Sequence, residues 1–267
     1  MQNLEQDKEL LDALARGLMV IESFDQEQPE MTLSEVARKT DIKPATARRI
    51  LRTLVALGYA RIVNKRYLLT PKILGLGAAY SRSAQLEEAF MPELKRLVGK
   101  YGDASSVTIL ADNEIFYVAH FSEQKGSRVS ADAGITYPAY PASMGRVLLA
   151  GLNDQELDQY FAQVEFEKRT ENTETNPSIL RKIIQTTREV GFSSTRDELF
   201  YGVTALAVPI VVNRGTVIAA INSSGYSGKV TMDELIDQRL DDLRISADRI
   251  ADTLLRYPSL RHSIERS

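Results

Sequence analysis

The segment from Thr32 to Leu74 carries the local signals of two short helices in close succession. Thr32 is followed three residues later by Glu35, which is the capping-box signature of a helix start. Pro44 suits the first position of a second helix, since its missing amide needs no intrahelical partner there. Gly58 is placed to end that helix, because glycine tolerates the left-handed backbone of a helix C-terminus. The segment is therefore constrained to a small unit in which two helices meet at a tight turn.

A hairpin is predicted directly after the second helix. The runs YARIV and RYLLT are separated only by Asn64–Lys65, which is the length of a tight hairpin turn. Upstream, the run DALARGLMVIESF predicts a first helix with one buried face containing Leu14, Leu18 and Ile21. Three helices followed by a two-stranded ribbon are typical of a winged helix-turn-helix. We predict that residues 1–70 form such a domain.

Positive charge is concentrated in this predicted domain. Between Arg38 and Lys72 there are ten basic residues and one acid, whereas the 267-residue chain has a net charge of −3. The acids that usually interleave a solvated basic face are missing, which favours a polyanion over an ordinary solvated surface. A winged helix that serves as a protein-interaction module is the alternative. We predict that double-stranded DNA is contacted by Lys43, Ala45, Thr46, Arg48, Arg49, Arg52, Lys65 and Arg66.

The rest of the chain predicts a linker helix and a larger mixed domain. Residues 71–88 begin a helical pattern, with interruptions expected near Ser81–Ser83 and at Pro92. Residues 89–267 then alternate strands and amphipathic helices without a regular βαβ order, and SRVSADAG is a further candidate strand. This arrangement favours an α+β domain over a doubly wound sheet.

Composition excludes several classes of site. The chain has no cysteine, so a disulfide framework, a thiol nucleophile and a thiolate metal site are excluded. The two histidines, His120 and His262, are far apart in sequence, and no glycine-rich phosphate loop is present. We expect no cofactor and no metal, and an all-carboxylate metal site is the alternative. The longest apolar stretch, VTALAVPIVV, is too short to cross a bilayer, so we expect a cytoplasmic protein with no membrane partner.

Several collinear motifs resemble the IclR family of bacterial transcription regulators. They are LARGLMVIESF, TLSEVARKTDIKPATARRILRTLVALGYA, YLLTPKILGLG, YPAYPASMGRVLLAGL and GVTALAVPIVVNRGTVIAAINSS. The run PAYPASMGRVLLAGL is similar to the branch that controls protocatechuate, 4-hydroxybenzoate and β-ketoadipate catabolism. The resemblance implies a linker helix, a GAF-like effector domain, and dimers that often pair into tetramers.

The resemblance also implies the place of a small carboxylate effector. Free amides at the start of the helix in SMGRVLLAGL suit a carboxylate, and short polar groups end the strand in AAINSS. Helix capping by Ser143 and a turn at the strand end are the alternatives. Acid-binding members of the family carry an acidic residue, a cysteine and a serine at three positions near this site. This chain has Thr195, Ala205 and Asn222 there instead. The predicted effector contacts are Tyr140, Ser143, Met144, Gly145, Asn222 and Ser224.

An enzyme is the competing hypothesis. Ser143 is not in a G-x-S-x-G elbow, and His120 is interpreted as a histidine at the end of a strand. Paired carboxylates at Arg196–Glu198 are a candidate acid–base site, although a solvated loop is the simpler interpretation. We therefore expect a ligand-responsive DNA-binding regulator that is not an enzyme.

Overall fold

The structure is a computed structural model that covers most of the chain. It describes residues 10–265, with the exception of residues 26, 85, 124–131 and 214. Residues 81–84 and 86–88 are described by their backbone alone.

The chain divides into two compact units at residues 80 and 81. This division falls inside the predicted linker, residues 71–88. The bounds of the two domains, at residues 70 and 89, remain predictions. Across the part of the chain that is described, no helix is both long enough and apolar enough to cross a membrane.

Three helices form the body of the first unit. They are α1 at Asp12–Glu22, α2 at Leu33–Thr40 and α3 at Pro44–Ala56. The predicted capping box is confirmed, because the Glu35 amide donates to Thr32 Oγ1 at 3.3 Å and the Thr32 amide donates to Glu35 Oε2 at 2.7 Å. Both helix starts in the helix-turn-helix are therefore set by local sequence.

The core of this unit is made by one face of each helix. Gly58 follows α3 with φ of +80°, which confirms its role in ending the helix. Helix α3 buries Ala47, Leu51 and Leu54, whereas Leu57 is 54% exposed just beyond it. The buried residues are Val20, Met31, Val36, Ala37, Ile42, Ala47, Leu51, Leu54 and Ala60.

The buried face of α1 differs from the prediction. Leu14 is 61% exposed and Leu18 is 46% exposed, so neither is in the core. Val20 is fully buried instead, and Ile21 packs against the core while half-buried. An apolar stripe in the sequence does not reveal which neighbour covers it, and here α2 and α3 contact the side that carries Val20.

The wing is a three-stranded antiparallel sheet in the order β1, β3, β2. Its strands are β1 at Glu30–Met31, β2 at Ala60–Val63 and β3 at Arg66–Leu69. Asn64 and Lys65 have φ of 49° and 66°, as a two-residue hairpin turn requires. The predicted hairpin is confirmed, and the two-residue strand β1 was missed because so short a segment has no measurable period.

The chain leaving β3 is tied to the end of α3. The Thr70 amide donates to the Tyr59 carbonyl at 2.9 Å, and its hydroxyl donates to the Gly58 carbonyl at 2.6 Å. Lys72 Nζ donates to the Leu57 carbonyl at 2.7 Å and lies 4.9 Å from the centre of the Tyr59 ring. Three consecutive carbonyls after α3 are thus hydrogen-bonded by the segment that follows the wing.

The predicted helix interruptions are wrong. After a 3₁₀ turn at Pro71–Ile73, α4 runs through Leu74–Ala84, including Ser81–Ser83, and α5 spans Leu86–Tyr101 with Pro92 inside it. A proline removes one helical hydrogen bond and strains the preceding turn. The apolar face of α5 is buried in a hydrophobic core of the second unit, which offsets that cost.

A six-stranded antiparallel sheet forms the centre of the second unit. Its strand order is β6, β5, β4, β9, β8, β7. The strands are β4 at Ala104–Ala111, β5 at Glu114–Ser122, β6 at Thr136–Pro138, β7 at Ser193–Arg196, β8 at Val203–Val212 and β9 at Thr216–Tyr226. The strand suggested by SRVSADAG lies largely outside the described residues.

Helices cover both faces of this sheet. One face packs against α5 and the two C-terminal helices, and the other packs against three central helices. The additional helices are α6 at Ser143–Ala150, α7 at Asp154–Gln163, α8 at Pro177–Val190, α9 at Met232–Arg256 and α10 at Pro258–Ile264. The predicted α+β class is confirmed, and the start of α6 lies over the sheet.

Candidate DNA-contacting surface and effector cavity

The face of α3 that points away from the core carries three arginines. Arg48, Arg49 and Arg52 are exposed, and no acidic residue in the described part of the chain pairs with them. Ala45 is exposed and Thr46 is half-buried in the first turn of the same helix. A helix of this width enters a DNA major groove, where arginine hydrogen-bonds to guanine edges. The arrangement therefore fits the predicted reading surface.

The tip of the wing carries one exposed cation and one that is paired within the unit. Lys65 is exposed in the hairpin turn. Arg66 Nε lies 3.0 Å from Glu30 Oε1, and its Nη2 lies 3.1 Å from Glu35 Oε2. Arg66 thus links β3 to β1 and α2, and its contact with DNA stays a prediction. Lys43 is exposed at the N-cap of α3.

A cavity of about 320 Å³ lies in the second unit. Strands β4, β5, β8 and β9 line one side, and the first turn of α6 and the loop before β8 line the others. Four of the six predicted effector contacts are on its wall: Ser143, Met144, Asn222 and Ser224.

Strand register arranges the cavity floor in two rows. His120, Ser106 and Asn222 lie directly opposite one another on β5, β4 and β9. Side chains two residues apart on a strand share a face, so a second row lies beside the first. The second row is Ser122, Ala104, Ser224, Ala205 and Thr195. We call the row of His120, Ser106 and Asn222 the inner row.

The start of α6 has open backbone amides. Ala142 is its N-cap and supplies no capping hydrogen bond, so Ser143 is the first helical residue and not the cap. Met144 packs over the sheet, where Thr108 Oγ1 lies 3.4 Å from its sulfur. The first amides of a helix carry partial positive charge and bind anions. This end of α6 can therefore receive a carboxylate.

Tyr140 and Gly145 do not line this cavity, and their contact with an effector stays a prediction. Tyr140 is fully buried; its hydroxyl accepts from the Glu167 amide at 3.0 Å, and its ring packs edge-on against Phe166. At Gly145, a side-chain carbon would overlap the Ala139 carbonyl. Both residues instead support α6 from outside the cavity.

Asn222 and Ser224 are strand residues, so the alternative of a turn is wrong for them. Both lie within β9. Ser224 Oγ donates to the Ala104 carbonyl at 3.2 Å, and the Ser106 amide donates to Asn222 Oδ1 at 2.8 Å. The second bond fixes the Asn222 amide, whose nitrogen can then donate into the cavity.

A buried ion pair joins α6 to the loop before β8. Arg146 Nη1 and Nη2 lie 2.9 Å and 2.5 Å from the two carboxylate oxygens of Glu198. Arg146 Nε also donates to the Tyr140 carbonyl at 2.9 Å. The two side chains are 4% and 13% exposed, and Glu198 lines the cavity. The two charges neutralise each other, so neither is available to pair with a charged ligand.

His120 lines the cavity, which the interpretation as a simple strand-end histidine did not anticipate. Its Nδ1 lies 2.9 Å from Ser106 Oγ. Burial lowers the pKa of His120, and the charge of Asp132 opposes this effect. Pairing of the two predicted strands in register was the signal that could have placed it beside Ser106.

The candidate acid–base carboxylates are engaged in structural contacts. Asp197 Oδ1 accepts from the Gly202 amide at 2.6 Å and from Ser227 Oγ at 2.8 Å. Glu198 is paired with Arg146. In the part of the chain that the structure describes, no group of three histidine, aspartate or glutamate residues is placed to hold a metal ion.

Known proteins match this chain in both units. Residues 13–62 match the IclR helix-turn-helix domain, and residues 78–252 match the bacterial transcriptional regulator IclR C-terminal domain. The Pca regulon regulatory protein of Pseudomonas putida is 36% identical over 244 residues, which cover 91% of this chain and 84% of that protein.

Solved structures share the fold. A transcriptional regulator from Rhodococcus sp. RHA1 has a TM-score of 0.79 and 39% identity, and the match covers 92% of this chain and 99% of that one. An IclR homologue from Microbacterium hydrocarbonoxydans, solved with 4-hydroxybenzoate, has a TM-score of 0.74 and 22% identity over 91% of this chain and 99% of that one. The resemblance first seen in the motifs is confirmed: the chain belongs to the IclR family of bacterial DNA-binding transcriptional regulators.

Proposed function

We propose that this regulator controls an operon for the breakdown of aromatic acids, in the cytoplasm, in response to a small carboxylate. The cavity is the observation that carries the proposal, because open helix amides and a polar strand row converge on it. The Pca relative and the homologue bound to 4-hydroxybenzoate support the class of effector.

The effector carboxylate is proposed to bind at the start of α6. The Ser143 hydroxyl lies on the cavity wall and makes no hydrogen bond to another described residue. Met144, Tyr117 and Phe200 provide apolar contacts for a ring or chain. Binding would change operator affinity only if the effector favours one arrangement of paired winged helices.

Loss of polar groups from the cavity wall is expected to weaken effector binding. Ser143→Ala and Ser224→Ala should each cost about 1–3 kcal/mol of affinity, because polar atoms of the ligand lose hydrogen-bond partners in the cavity. Calorimetry with the acid selected by a thermal-shift screen of aromatic and dicarboxylic acids measures this cost.

The matched control for these variants is Ser194→Ala, which alters a strand serine that does not line the cavity. It should bind the effector as wild type does, and all three variants should retain operator affinity without ligand. Wild-type effector affinity in both cavity variants would contradict this pocket while leaving the DNA-binding function intact.

We further propose that the active form is a dimer or a dimer of dimers. Helix α4 leaves Leu74 73% exposed and Leu76 49% exposed, more apolar surface than a simple tether needs. Two winged helices spanning symmetric half-sites also bind more tightly than one.

Sedimentation equilibrium at micromolar concentration is expected to show at least a dimer. Replacing Leu74 and Leu76 with lysine should shift the protein toward monomer and weaken operator binding, because charge opposes burial of the α4 surface. Leu255→Lys, at a residue 50% exposed on α9, is the control. A wild-type monomer with full operator affinity would exclude the dimer.

We propose that the effector is bound without being transformed. The engagement of Asp197 and Glu198 in structural contacts supports this proposal. Prolonged incubation with the selected acid, followed by chromatography, should return the acid unchanged. Turnover would favour the enzyme hypothesis instead.

A further inference from the structure

The inner row of the cavity contains a hydrogen-bonded histidine. His120 Nδ1 lies 2.9 Å from Ser106 Oγ, and the Ser106 amide donates to Asn222 Oδ1 at 2.8 Å. Ser106 therefore orients both of its neighbours in the row. With Nδ1 directed at Ser106, the second ring nitrogen of His120 is left for another partner.

Few fixed positive charges are available to an anion in this cavity. Arg146 is neutralised by Glu198. Arg239 is on the opposite side of the sheet, where it donates to Ser223 Oγ at 2.9 Å. Among the described residues on the wall, Lys229 is the permanent cation that remains, and it is solvent-exposed. A carboxylate taken from water needs compensating charge and hydrogen bonds.

We propose that His120 supplies this charge by taking up one proton from solvent when the effector carboxylate binds between the start of α6 and the inner row, which line the same cavity. This inference rests on the proposed function. In the bound state, Nδ1–H donates to Ser106 Oγ and Nε2–H donates to the carboxylate. The Ser106 hydroxyl both donates and accepts, so it can hold the ring in either protonation state. Ser106 is thus a positioning residue, and His120 is the group that touches the effector.

The charged and titratable groups around His120 are consistent with this role. Asp132 favours the protonated ring, while burial of the ring disfavours it and lowers the pKa. Tyr117, on the same strand, is kept neutral because burial raises its pKa. Asp103 and Tyr226 also line the wall, and Asp103 lies 3.8 Å from Arg239 Nη2.

The sign of the pH dependence follows from these surroundings. Without an anion, burial favours the neutral ring near pH 7; an adjacent carboxylate raises the pKa of His120. At pH values between the pKa of His120 in the free protein and its pKa in the complex, binding takes up a proton. Affinity for the carboxylate therefore falls as pH rises.

Calorimetry with 4-hydroxybenzoate and its uncharged amide, 4-hydroxybenzamide, tests the proposal. From pH 6 to pH 8, the dissociation constant of 4-hydroxybenzoate should rise about tenfold or more. Buffers of different ionisation enthalpy should report the uptake of about one proton per acid bound. The amide carries no charge and should bind equally at both pH values without proton uptake.

Variants separate a role in recognition from a role in folding. His120→Gln should bind 4-hydroxybenzoate weakly and without pH dependence, whereas its affinity for the amide should stay near that of wild type. Ser106→Ala should weaken acid binding and reduce proton uptake, because the ring is less well held. His262→Gln, at an exposed histidine outside the cavity, should behave as wild type.

Three results would overturn the proposal, and they separate the role of His120 from the proposed function. Tight binding of 4-hydroxybenzoate with no proton uptake, or retained pH dependence in His120→Gln, would exclude the role of His120 alone. Failure of 4-hydroxybenzoate and of adipate to bind at either pH would overturn the carboxylate effector of the proposed function, and this inference with it.

Discussion

Replacing Arg48, Arg49 and Arg52 together with alanine is expected to weaken operator binding by at least about a hundredfold. The reason is that each arginine that reaches a base edge contributes roughly 1–3 kcal/mol. All three are exposed on one side of α3, beyond the residues that hold the helix in the core. Fluorescence anisotropy should be measured with operator and random duplexes at several salt concentrations.

The control for lost charge is a triple alanine variant of Arg244, Arg249 and Arg256, which are exposed on α9. This control also removes three positive charges, but from outside the winged helix. Its operator affinity should stay close to that of wild type. Lys65→Ala should weaken operator and random DNA to a similar degree and reduce the salt slope by about one. Unchanged operator binding in the α3 variant would exclude this helix as the reading surface.

Replacing Glu198 with alanine is expected to lower the free energy of unfolding of the second unit by about 3–5 kcal/mol, because it leaves the Arg146 guanidinium buried without a counter-charge. The two side chains are 13% and 4% exposed. Urea unfolding followed by circular dichroism measures the change, and effector binding should weaken as well since Glu198 lines the cavity.

Asp158→Ala is the matched control, because it breaks an ion pair with Arg181 in which both side chains are largely exposed. Its cost should be about 0–1 kcal/mol. A double variant, Arg146→Met with Glu198→Leu, removes both charges and should recover part of the stability lost in Glu198→Ala. Equal costs for Glu198→Ala and Asp158→Ala would show that burial does not strengthen the first pair.

Local signals in the sequence predicted the winged helix well. A capping pair, a helix-starting proline, a helix-ending glycine and a two-residue turn each act within a few residues, so they can be read without the fold. The exposure of Leu14 and Leu18 could not be predicted in this way. It depends on which elements pack against α1, and the period of the sequence carries no information on that choice.

The cavity was only partly predictable for the same reason. Ser143 and Met144 were found because they begin a helix, and Asn222 and Ser224 because they lie late in an apolar strand. His120 was missed because its neighbour Ser106 is determined by register between two strands. The pairing of Arg146 with Glu198 joins residues 52 positions apart, and nothing in either local sequence indicates it.

The contacts of Thr70 and Lys72 have a mechanical consequence. Because these residues hydrogen-bond to the carbonyls of Leu57, Gly58 and Tyr59, the end of α3 and the exit of the wing move as one piece. These hydrogen bonds leave the end of α3 and the exit of the wing little freedom to rotate against each other. We therefore expect a reorientation of the winged helix to pivot beyond Lys72, so that a rotation of the chain at that point is passed on to α3.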